Sequence, residues 1–74
     1  MTTAEILIGL FGYKPINLTA KIKLQILEHN SISVIKEKEL MDNGELFRYI
    51  EIYIFKDESK IIFSSLHNSF NLGE

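Results

Sequence analysis

The stretch Leu46-Phe47-Arg48-Tyr49-Ile50-Glu51-Ile52-Tyr53-Ile54-Phe55-Lys56 decides how this chain is read. It is the longest run of aromatic and β-branched residues, with no Gly or Pro to interrupt it, which is the signature of a strand. Side chains alternate faces along a strand. One face therefore carries Leu46, Arg48, Ile50, Ile52, Ile54 and Lys56, and the other carries Phe47, Tyr49, Glu51, Tyr53 and Phe55. A strand with one wet face is apolar on one side only. Here both sides are apolar, one aliphatic and one aromatic, so the strand is expected at the centre of a sheet. Two arrangements satisfy it. Both faces are buried in a small core, or the aliphatic face meets the core and the aromatic face meets a partner.

The strand's neighbours follow from the turns around it. Asp42-Asn43-Gly44-Glu45 predicts a hairpin with Asn43-Gly44 at the centre of a type I′ turn. Pairing outward from that turn makes Ile32–Met41 a strand. Glu39 then lies opposite Arg48 and Lys36 opposite Glu51. Leu40 meets Phe47, Ile35 meets Ile52, Val34 meets Tyr53 and Ile32 meets Phe55. Opposite charges and apolar pairs coincide in one register, as cross-strand pairing favours. The competing reading is a helix capped by Ser33 and ended by Gly44, suggested by the Lys-Glu-Lys-Glu block at 36–39. On the far side, Asp57-Glu58-Ser59 predicts a three-residue turn into a strand over 60–67. That loop sets Tyr53 beside Phe63, Ile54 beside Ile62, Glu51 beside Ser65 and Tyr49 beside His67. A slip of one residue would exchange the faces.

Towards the N-terminus, Leu18–Leu27 alternates, with Ala20, Ile22, Leu24 and Ile26 against Thr19, Lys21, Lys23 and Gln25. That pattern predicts a strand with one dry face over 18–27. A helix is expected over 3–11. Thr2 or Thr3 is its cap and Glu5 lies in its first turn. Ile6, Leu7, Leu10 and Phe11 share its apolar side, Gly12 follows as the C′ residue, and Pro15 stops it. Residues 68–74 read as a polar tail with Phe70 and Leu72 as anchors.

The expected fold is a single α+β domain over residues 1–74, an N-terminal helix packed on a four-stranded antiparallel meander with strands at 18–27, 32–41, 45–56 and 60–67. A small half-open β-barrel is the alternative. In the meander the helix is expected on the aliphatic face, over Ile22, Leu24, Ile26, Ile50 and Ile52, through Ile6 and Leu10. The aromatic face is then left open.

Composition narrows the function. The chain has 74 residues, is 46% hydrophobic and 24% charged, and carries a net charge of −2. That is globular composition without the cationic footprint of a general nucleic-acid binder. It has no cysteine, so it has neither a disulfide framework nor a thiolate metal site. The N-terminal apolar run lacks a secretory pattern and is too short to span a bilayer, so no membrane and a cytoplasmic setting are expected. His29 and His67 are the only histidines and form no ligand spacing. Ser64, Ser65, His67 and Glu51 resemble a hydrolase triad in residue type only. Ser64 and His67 point to opposite faces of the expected strand, and no G-x-S-x-G elbow is present. Gly9-Leu10-Phe11-Gly12-Tyr13-Lys14 lacks the spacing of a phosphate-binding loop.

These observations predict no catalytic residues, no cofactor and no metal. They favour a small non-catalytic protein-interaction module acting by stoichiometric binding. Its partner-binding residues are expected to be Tyr49, Glu51, Tyr53, Phe55, Phe63, His67 and Lys36 on the aromatic sheet face. The partner is a second copy in a homodimer or a different protein. Size and acidity suggest, as one version, a virus- or mobile-element-encoded inhibitor of a host protein. The alternatives are a sheet that stacks single-stranded nucleic acid on its aromatics and a structural subunit docked by its N-terminal helix.

Overall fold

The computed structural model describes residues 1–73. In chain order it contains α1 (Thr3–Phe11), α2 (Ala20–Asn30), β1 (Ser33–Leu40), β2 (Leu46–Ile54), β3 (Lys60–Ser64) and β4 (Ser69–Leu72), with a 3-10 turn at Leu66–Asn68. The strands form one open antiparallel meander in the order β1-β2-β3-β4. Both helices pack on one side of it.

Helix α1 begins as its sequence requires. The Thr2 hydroxyl accepts from the Glu5 N–H, and the Glu5 carboxylate accepts in return from the Thr2 N–H, a reciprocal capping box. Two further N-terminal donors are met from far along the chain. Thr3 N–H donates to Asp57 Oδ2 at 2.7 Å, and Ala4 N–H donates to Ser59 Oγ at 3.1 Å. The β2–β3 turn thus serves as a second cap and fixes the helix over the sheet. The buried side of α1 is Ala4 and Leu7, with Ile8 and Phe11 beside them, at i, i+3, i+4 and i+7. Ile6 is instead 55% exposed. Gly12 caps the helix with φ −85°, so the left-handed C′ conformation is not used.

The segment expected as a strand over 18–27 is the second helix. Thr19 caps α2 by accepting from the Ile22 N–H at 3.3 Å. Leu24 and Ile26 then pack against the core, and Leu27 is fully buried in it. Ala, Lys, Leu, Gln and Glu dominate this run, and all are better helix formers than strand formers. The alternation of Ala20, Ile22, Leu24 and Ile26 is incidental, since it leaves the buried Leu27 out.

The first hairpin keeps the expected register from Val34↔Tyr53 through Glu39↔Arg48, which sets aside the helical reading of 32–41. Its turn differs in detail. Gly44 N–H donates to the Met41 carbonyl, so Asp42-Asn43 is the central pair, and only Gly44 of the turn has positive φ, at 85°. A type I′ turn needs positive φ at both central residues. The observed turn, closed by Met41 N–H to Glu45 O, has the bonding of a turn followed by a left-handed bulge residue. The resulting one-residue shift pairs Leu40 with Leu46 rather than Phe47. The second hairpin repeats the device. Glu58 N–H donates to Phe55 O, Phe55 N–H donates to Ser59 O, and Glu58 takes the left-handed position with φ 70°. Consequently β3 pairs two residues away from the expected register, with Glu51↔Phe63 and Tyr53↔Ile61. A shift of two preserves the faces.

Strand β3 ends at Ser64 rather than His67. Left-handed His67 and Asn68, at φ 61° and 49°, reverse the chain, and the expected tail becomes β4, paired through Phe63↔Phe70 and Ile61↔Leu72. Glu74 lies outside the described residues. The sheet thus keeps four strands, but its fourth comes from the tail and not from 18–27.

The core is the aromatic face. Tyr53 is 3% exposed, Phe55 and Ile61 are fully buried, and Phe63 is 6% exposed, all in one cluster with Ala4, Leu7 and Leu27 of the helices. Phe70 stacks edge-on against Phe11 with centroids 5.4 Å apart and tilts against Phe63 at 5.0 Å. The Lys23 ammonium lies 5.8 Å from the Phe11 ring centre and 5.6 Å from that of Phe70. The expectation that α1 covers the aliphatic face is therefore reversed. Each aromatic ring removes more apolar area from water than an isoleucine, so seating the rings under two helices is the stronger choice.

Candidate interaction face

The residues expected to bind a partner are divided by this packing. Tyr53, Phe55 and Phe63 are core, and Glu51 is half-buried. Tyr49, His67 and Lys36 are exposed. Lys36 and Glu51 are register partners and share a cleft with Leu24, Glu28, Val34 and Tyr53. There the Tyr53 hydroxyl donates to the Glu51 carboxylate. Burial, then that hydrogen bond, pushes the Tyr53 phenol well above its ordinary range.

The polar groups that resembled a triad do not assemble. Ser64 Oγ accepts from Arg48 Nη1 at 3.3 Å and from the Leu66 N–H at 3.2 Å, while Ser65 Oγ accepts from the Tyr49 N–H at 2.8 Å. Both serines hold the turn after β3. Glu51 lies opposite Phe63 and not Ser65.

The surface left over is the face away from the helices. Its residues follow from the register. Ile35, Ile52, Ile62 and Asn71 form one row across the four strands. Ser33, Ile54 and Lys60 form the row above, and Glu37, Ile50, Ser64 and Ser69 the row below. None of the isoleucines at 35, 50, 52, 54 and 62 belongs to the core cluster. Ile35 is 42% exposed and the other four are partly exposed. Beyond the lower row Arg48 Nη2 meets Glu39 Oε2 at 3.0 Å, one of the two opposite-charge pairs expected from the hairpin register and the only ion pair among the described residues, since Lys36 and Glu51 keep their register without bonding. Glu37 and Lys60 then stand at diagonally opposite corners of the isoleucine patch, neither in an ion pair among the described residues.

The arrangement is a two-layer α+β domain with one sheet face covered by helices and the other aliphatic and uncovered. No protein-family model, curated protein or solved structure matches the chain. No helix among the described residues is long and apolar enough to cross a membrane.

Proposed function

We propose that this chain is a small non-catalytic interaction module that acts by stoichiometric binding, and that it binds through the isoleucine face of its sheet. The observation that carries the proposal is the uncovered row Ile35-Ile52-Ile62 with Ile50 and Ile54 around it, while both helices occupy the opposite side. Contiguous exposed apolar surface on a water-facing domain marks a partner site. A β-sheet face that is apolar and flanked by charge has the layout of an interface centre and rim. The non-catalytic part draws support from Ser64 and Ser65, which are engaged in turn hydrogen bonds, and from Glu51, which is engaged by Tyr53. Base stacking loses its platform, because three of the aromatics it needs are buried. The cytoplasm remains the expected setting.

The test is a photo-crosslinking residue placed at Ile35, on the face, or at Lys21, on the outer side of α2, in the cells that make the protein. Discrete protein adducts from position 35 and none from position 21 are expected. Equal adducts from both positions, or none from position 35, would overturn the proposal.

A further inference from the structure

Resting on that reading of the isoleucine face, we infer that its occupant is a second copy of this chain, seated face to face with Glu37 of each copy against Lys60 of the other. The argument is one of symmetry and charge. A two-fold axis lying in the interface carries each residue of one face to its mirror position across the axis on the facing copy. An axis running across the strands sets Glu37 opposite Ser33 and Lys60 opposite Ser64. One running along the strands sets Glu37 opposite Ser64 and Lys60 opposite Ser33. The diagonal through Glu37 and Lys60 stacks each charge on its own copy. The remaining diagonal, through Ser33, Ile52 and Ser64, brings Glu37 to Lys60 twice.

The same axis fits the apolar residues. Ile52 lies on the axis and meets its own copy, Ile35 comes over Ile54, and Ile50 comes over Ile62. With strands about 4.8 Å apart and residues rising about 3.3 Å, the strands of the two sheets cross at roughly 70°, towards the orthogonal class of sheet packing. Arg48 and Glu39 are already neutralised by each other and lie outside the patch.

Self-pairing through the β1 edge is disfavoured by its sequence. Lys36 and Lys38 lie on one face of it and Glu37 and Glu39 on the other. Antiparallel self-pairing keeps faces together, so its central registers set Lys against Lys or Glu against Glu, which is destabilising. The face is open to a second copy, whereas the β1 edge disfavours one.

The footprint is roughly 300 Å² per copy, from four strands at about 4.8 Å and five residues at about 3.3 Å. That is below the standard interface of about 800 Å² per partner, so the pairing is weak and reversible. The experiment is sedimentation equilibrium of the purified chain up to millimolar concentration, with far-UV circular dichroism as the control for folding. The wild type should pass from monomer to dimer as concentration rises and dissociate with added salt. Glu37→Lys and Lys60→Glu should each weaken self-association about tenfold or more. An equimolar mixture of the two variants should associate at least as well as wild type. In that mixed dimer both corner contacts again join opposite charges, with the two lysines on one copy and the two glutamates on the other. A wild type that stays monomeric at millimolar concentration overturns the inference, as does a mixture no better than its components. If position 35 nonetheless crosslinks to a protein of another mass, the interaction face stands and only its occupant changes.

Discussion

Replacing Leu27 or Ile22 by Ala separates the helical from the extended form of 20–30 with one chemical change at two sites. In the helix, Leu27 is fully buried between α2 and the aromatic face, whereas Ile22 is 42% exposed. Truncating a fully buried Leu costs about 2–5 kcal/mol, from lost transfer energy and the cavity left behind. Burying an Ile completely is worth about 1.5–3 kcal/mol, so the covered part of Ile22 contributes on the order of 1 kcal/mol. Ala gains roughly 0.4 kcal/mol over Ile in helix propensity, which offsets part of that loss. The net cost of Ile22→Ala should be under about 1 kcal/mol. Urea titration followed by circular dichroism reads both as shifts in midpoint at constant slope. A strand with Ile22, Leu24 and Ile26 on its dry face requires the reverse order. Ile22→Ala costing as much as Leu27→Ala would refute the helical packing.

Three further outcomes follow from the turns and the core. The Asp57 carboxyl is held well below its usual range, first by the Ser59 hydroxyl and then by the Thr3 N–H, so its stabilisation is present above the ordinary carboxylate pKa and is lost as pH falls below it. Acid unfolding curves of Asp57→Asn should be flatter than wild type below about pH 4, and coincident curves would remove the second cap. Glu58 is left-handed without being Gly, so Glu58→Gly should stabilise by about 0.5–1 kcal/mol in thermal melts, while a destabilising result would mean the turn is held by the Glu58 side chain. Because the Tyr53 phenol is pushed up by burial and by Glu51, its stabilisation holds below the free phenol pKa and fades as pH rises above it. In spectrophotometric titration one tyrosine should ionise only with alkaline unfolding, and Tyr53→Phe should abolish that phase.

Much of the hairpin is legible in the sequence, because Asn43-Gly44 places the turn and the charges Glu39, Arg48, Lys36 and Glu51 fix the register independently of it. Helix α1 is legible from Thr2 and Glu5, which cap it locally. Two things are not. Period-2 and period-3.6 patterns both pass through Ala20 and Leu24, and only Leu27 and the helix-forming composition separate them. The choice of core face is also hidden. β2 is apolar on both sides, and nothing local to it says where the helices go. That depends on α2, whose Leu27 joins Leu7 of α1 on the aromatic side. Reading 18–27 as a strand leaves a single helix, with nothing to hold it to the correct face. The choice of exposed face inherits that error, since Tyr53, Phe55 and Phe63 lie in the core and the isoleucines stay outside it.

The central claim is that the isoleucine face is outside the fold's own core and is where the chain binds. Ile35→Lys tests it most directly, by circular dichroism and sedimentation on the same sample. The account predicts native far-UV circular dichroism and a monomer of 8.6 kDa at concentrations where the wild type is dimeric. A variant that unfolds would contradict it, because the face would then be core. So would a folded variant that associates as the wild type does.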